Sequence, residues 1–132
     1  MANWKHVAFV EDLITVVYTR QFIFTIEGSL TVIANPFRIC NKTGATLTIL
    51  GVYLLVDTAP TGSNIIVDVN KNGTTIFTVQ ANRPEIVAGD FYGCSIDVDV
   101  TGWQDGEYLQ IDLDQIGSTI AGSNLSVHVT AR

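Results

Sequence analysis

From Gln21 onward, apolar residues recur at every second position in short runs, the pattern of strands with one buried face. Phe22, Phe24 and Ile26 share a face ahead of Glu27-Gly28-Ser29, which reads as a turn, and Leu30-Thr31-Val32 begins the return. Pro36 lacks a ladder donor and marks an edge, after which Phe37 to Cys40 leads into a turn at Asn41 to Gly44. The long run from Thr46 to Asp57, with Val52-Tyr53-Leu54-Leu55-Val56 inside it, predicts a central strand buried on both faces or partly in an interface. Pro60 and Gly62 then turn the chain into a hairpin: a strand over Asn64 to Asn70, a turn at Lys71-Asn72-Gly73, and a return over Thr74 to Gln80.

Residues 81 to 93, with Pro84, Gly89 and Gly93, read as the longest loop. Three more strands follow, over Cys94 to Val100, Glu107 to Ile116 and Asn124 to Thr130. Their inward sets are Ile96/Val98/Val100, Leu109/Ile111/Leu113 and Leu125/Val127/Val129, and Cys94 shares the first parity, as a buried thiol would. Eight or nine short strands without a helical pattern predict an all-β fold, an antiparallel β-sandwich of the jelly-roll kind. Residues 1 to 19 lack clean alternation, so the chain divides into an N-terminal arm over 1–19 and a single β-sandwich domain over 20–132.

Composition sharpens this picture. The 132 residues are 47% hydrophobic and only 15% charged, which suits a chain that buries surface against copies of itself. Seven basic and thirteen acidic residues give a net charge of −6 without a basic cluster, arguing against nucleic acid as a partner. Charges interrupt the N-terminal apolar stretch and no run is long enough to span a bilayer, so neither a signal peptide nor a membrane partner is expected. Cys40 and Cys94 lack metal-ligand spacing and are too few for a disulfide framework. Asn41, Asn72 and Asn124 open Asn-x-Ser/Thr triplets, which an Asn- and Thr-rich β protein produces by chance.

Candidate chemistry is sparse. Asp68-Val-Asn70-Lys-Asn72-Gly73 copies the start of an EF-hand loop, but the twelfth position is Val79 and the flanks alternate as strands, which excludes that reading. Asp68/Asn70, Asp97/Asp99 and Asp112/Asp114 each place oxygen donors at i and i+2, opposite the apolar parity. On neighbouring strands they could face one divalent cation; the favoured reading is a solvent-facing sheet surface, with no metal and no cofactor, because like charges avoid direct pairing. Tyr92, Trp103 and Tyr108, with Phe91 nearby, could stack on a sugar or serve as core lids and interface anchors. No nucleophile, phosphate-loop or zinc-protease motif is present, and His6 and His128 are isolated, so an enzyme is not expected.

The strings "TAPTGSNIIVDVNKNGTTIFT", "ANRPEIVAGD" and "GEYLQIDLDQIGSTIAGSNLSVHV" resemble a β-sandwich module that recurs in tailed-bacteriophage structural proteins, in tail fibres, minor tail proteins and small virion surface proteins. The opening "MANWKHVAFVEDL" is similar to the short N-terminal segment of many such proteins, and the likeness covers nearly all of Gln21 to Arg132. The resemblance implies a homotrimeric virion component, assembled in a host cytoplasm beside other virion proteins, that decorates the particle or attaches it to the host. The absence of a stalk or second domain favours a compact decoration or tail-tip role. Trp4 and Phe9 of the arm, and the long strand 46–57, are the expected docking and subunit contacts. Asn72, Arg83, Asp114 and Gln115 are expected as turn and hydrogen-bond scaffold. The alternative is a carbohydrate-binding module acting as a host-surface adhesin, with a surface glycan as partner of Trp103, Tyr108 and Tyr92.

Overall fold

The computed structural model describes residues 18–132, so the arm candidates Trp4 and Phe9 lie outside the described residues. In chain order the strands are β1 (Arg20–Ser29), β2 (Ile33–Ala34), β3 (Ile39–Cys40), β4 (Leu47–Leu55), β5 (Ile65–Lys71), β6 (Thr74–Thr75), β7 (Glu85–Ile86), β8 (Tyr92–Ser95), β9 (Gly102–Trp103), β10 (Tyr108–Gln115) and β11 (Ser123–Ala131). One sheet has the order β1-β11-β4-β8, with β9 added at the end of β4. The other runs β2-β10-β5-β6, with β3 also on β10 and β7 also on β5. All these pairings are antiparallel. The chain passes back and forth between the sheets, which is the jelly-roll arrangement the alternation predicts.

The core lies between the sheets. Leu109, Ile111 and Leu113 of β10 and Leu125, Val127 and Val129 of β11 are buried, as their parity requires, and Ile65, Val67 and Val69 of β5 join them. Asn72 (φ +50°) and Gly73 (φ +85°) make the β5–β6 turn in the left-handed region that tight hairpins favour. The return strand is shorter than its β-branched run predicts: pairing stops at Thr75, and Ile76 and Phe77 turn into the core instead.

Three further expectations are corrected. Glu27-Gly28-Ser29 does not close a hairpin; it forms an irregular end of β1, which pairs with β11 from the far end of the chain. The long strand is central and its inner face is buried, by Leu47, Ile49, Val52 and Leu54, while on the outer face Tyr53 is half-buried and Leu55 is exposed. The parity expected of the 94–100 segment is reversed at Cys94 and Ile96 and kept at Val98 and Val100. Cross-strand registry of Ser95 with Val52 and Gly93 with Leu54 turns the small residues inward, so Cys94 is exposed and Ile96 is 67% exposed. The cause is close packing, since a Cβ on Gly93 would overlap the Glu85 carbonyl of β7. The strand then ends at Ser95, and only Val98 and Val100 pack against the core.

Asn41 locks one end of the sandwich. Completely buried, it donates through Nδ2 to the carbonyls of Ala45 (2.9 Å) and Trp103 (2.8 Å), and accepts at Oδ1 from the Thr43 N–H (3.0 Å) and hydroxyl (2.7 Å). Its triplet is therefore a structural knot, closed to modification in the folded chain.

Candidate functional site

The acidic residues divide into two groups. β5 and β10 are neighbours, and their registry sets Asp68 opposite Asp112 and Asn70 opposite Gln110, so Asp68, Asn70, Asp112 and Asp114 share the outer face of one sheet. Asp97 and Asp99 lie beyond β8 in an irregular segment, where Asp99 accepts from the Val79 N–H (3.1 Å) and Asp97 lines a groove with Arg83 and Glu85. The expected set of neighbouring strands is therefore incomplete.

Within the group that does assemble, protein donors occupy the carboxylates. Asn70 Nδ2 donates to Asp112 (2.8 Å), and Arg83 pairs with Asp114 (2.6 Å) in a partly exposed ion pair. Buried Asp68 accepts from the Thr75 hydroxyl (2.6 Å), the Val69 N–H (2.8 Å) and, more weakly, Gln80 Nε2 (3.4 Å). Burial holds its carboxyl above the ordinary range, only partly offset by those hydrogen bonds. Among the described residues, no three His, Cys, Asp or Glu side chains are grouped to hold a metal ion.

The aromatic candidates are not brought together. Trp103 is fully buried, edge-on to Phe22 at 4.8 Å between ring centroids, with Nε1 donating to the Glu107 carbonyl (2.9 Å). It is a core lid and offers no face to a sugar. Tyr108 lies outside the other sheet, where the Arg38 guanidinium sits 4.4 Å from its ring. Tyr92 is exposed on β8 with its hydroxyl against Cys94 Sγ (3.7 Å), and that thiol keeps the phenol above its ordinary value.

The motif residues expected as scaffold do that work. Asn72 joins Glu107 (2.9 Å) and the Tyr108 N–H (3.1 Å), Arg83 joins Asp114 and the Gln80 carbonyl (2.8 Å), and Gln115 donates to the Asn64 carbonyl (2.9 Å). They tie the β5–β6 hairpin and the loop after it to β10.

Two surfaces that periodicity did not single out stand open. Beside β1, the edge of its sheet, a mostly apolar groove of about 250 Å³ runs between Thr25-Ile26 and Ile33, Pro36 and Phe37. Across the outside of β1, β11, β4 and β8 lie Ile23, His128, Tyr53 and Cys94 in one cross-strand row and Thr25, Ser126, Leu55 and Tyr92 in the next. The alternation of small Gly93 and Ser95 with Tyr92, Cys94 and Ile96 was the sequence signal for that outer face.

No protein-family model matches the chain, and no curated protein matches it. Among solved structures, the fold is similar to a chain of the cyanophage Pam1 capsid asymmetric unit, with a TM-score of 0.42, 16% identity, and coverage of 86% of this chain and 82% of that one. It is also similar to a serine protease of Aeromonas sobria, with a TM-score of 0.38, 10% identity, and coverage of 89% of this chain but 28% of that one. At these values, function has to be argued from the chain's own residues and surfaces.

Proposed function

We propose that this chain is a bacteriophage virion structural protein, a jelly-roll module that assembles with copies of itself as a trimer and with other virion proteins on the particle surface. The observation that carries the reading is the sequence resemblance over Gln21 to Arg132, whose motif residues turn out to be framework. Polar residues spent on holding hairpins and loops leave a rigid body whose outer surfaces are available for contact. A net charge of −6 and an apolar content of 47% fit a particle component that meets protein. Decoration of the capsid or a place at the tail tip, on virions assembled in a host cytoplasm, is the role proposed.

The adhesin alternative rested on an aromatic platform, and buried Trp103 removes its centre. The test is fractionation of particles from cells producing the virus: the chain should sediment with virions, and its purified mass should be a multiple of 14.3 kDa. A chain that stays at the top of the gradient and weighs one subunit refutes the proposal.

A further inference from the structure

The outer face of the β1-β11-β4-β8 sheet differs from the rest of the molecule in charge. Read across the strands, three of its rows are Gln21, Thr130 and Gly51; Ile23, His128, Tyr53 and Cys94; and Thr25, Ser126, Leu55 and Tyr92, with Ile96 beside the first, and the acidic Glu27 and Asp57 border the last of them. Within these three rows no side chain is Asp, Glu, Lys or Arg. Four of the exposed large apolar side chains, Ile23, Leu55, Tyr92 and Ile96, stand on it. The opposite sheet carries Asp112 and Asp114 on its outer face, with Asp68 buried beside them and Arg83 of the preceding loop paired with Asp114.

An outer sheet face in contact with water normally carries charges, which keep it soluble and discourage stacking. A chain of net charge −6 that left these three rows without them has given up that protection there. Electrostatics selects the occupant. A basic partner would be drawn to the acidic sheet, whereas a second copy, itself acidic, is repelled everywhere except where neither surface carries charge. The patch is of modest size: four strands about 4.8 Å apart, over the residues that the three rows span, give a planar footprint of ~330 Å² per copy. Two such footprints, with side-chain relief added, make a contact at the small end of specific interfaces.

We infer that this uncharged face, centred on Tyr53, Leu55, His128 and Cys94, is the surface buried against a second copy of this chain. The inference rests on the assembly reading above and names the contact it uses.

The two native cysteines make it testable. Both are exposed in the single chain, Cys94 on this face and Cys40 on β3 of the opposite sheet. The full chain is sized by light scattering and briefly alkylated with iodoacetamide, and each cysteine is quantified by peptide mass spectrometry. The reference is Leu55→Glu, which puts a charge on the face at a side chain already half exposed. The expected result is an oligomer in which Cys94 alkylates at least tenfold more slowly than in Leu55→Glu, while Cys40 is unchanged. Leu55→Glu should be a folded monomer by mass and circular dichroism. If it misfolds, Thr25→Glu, on an exposed position of the same face, takes its place. An oligomer whose Cys94 reacts as fast as in the monomeric variant overturns the surface and leaves assembly standing. A wild-type monomer at all concentrations overturns both.

Discussion

Replacing Asn41 by Asp changes one atom in the knot that closes the sandwich, so its consequence can be worked out closely. Oδ1 still accepts from Thr43, but the second oxygen now faces the Ala45 and Trp103 carbonyls at the positions where Nδ2 donated at 2.9 and 2.8 Å. Two acceptors lose their donor in a completely buried site, at ~1–3 kcal/mol each. The sum is ~2–6 kcal/mol at neutral pH, a large share of the ~5–15 kcal/mol that holds a typical domain together. The melting temperature should fall by ~10–20 °C.

The variant also carries a pH signature. Only a protonated carboxyl at position 41 can donate to one of those carbonyls, so its folded pKa lies above the unfolded value of about 3.9. The stability linked to that proton is fully present below the unfolded value and is lost as pH rises through the folded one. Relative to wild type, Asn41→Asp should therefore be least damaged near pH 4 and most damaged at pH 7, a difference of ~1–2 kcal/mol for one recovered hydrogen bond. Asn41→Ala, which has no titrating group, should show a constant deficit. Urea unfolding at several pH values reads both. A loss below 1 kcal/mol, or a deficit that grows on acidification, would refute the account of Asn41 as a buried donor to two carbonyls.

Asp68, held above its ordinary value of 3.8 by burial, contributes stability that is present below that value and lost as pH rises through the raised folded one. In urea titrations from pH 3 to 7, wild type should lose ground to Asp68→Asn as pH rises; a gain would show a carboxylate stabilised by its donors. Trp103→Ala should cost ~3–5 kcal/mol in the same assay because the whole ring is buried against Phe22, and a cost under 1 kcal/mol would return the ring to the surface. Gly93→Ala should destabilise by ~2 kcal/mol or more, since the new methyl overlaps the Glu85 carbonyl; an unchanged midpoint would disprove the tight β7–β8 approach. Chelator should leave the melting temperature where it was, whereas a drop of several degrees would reveal a cation held by Asp68, Asp112 or Asp114.

The alternation of apolar and polar residues was enough to assign the all-β class, the inward sets of β10 and β11, and the β5–β6 turn. Each depends on a local cause: a period of two puts one set of side chains on one face, and Asn-Gly accepts positive φ. The scaffold role of Asn72, Arg83, Asp114 and Gln115 came from the resemblance. Tertiary structure decided what depends on distant partners. β1 joined β11 and not the segment after it, because pairing is settled by which strand edges meet across the core. Trp103 went inside because β9 pairs with β4 and brings the ring against Phe22. Cys94 and Ile96 turned outward because only Gly93 and Ser95 are small enough to sit inward, where β7 crosses β8, while Val98 and Val100 kept the expected face. Periodicity records that a strand has two unlike faces; when the inward positions hold small residues, only the neighbouring strand determines which face is which. That reversal moved Cys94 and Ile96 from the core to the uncharged outer face.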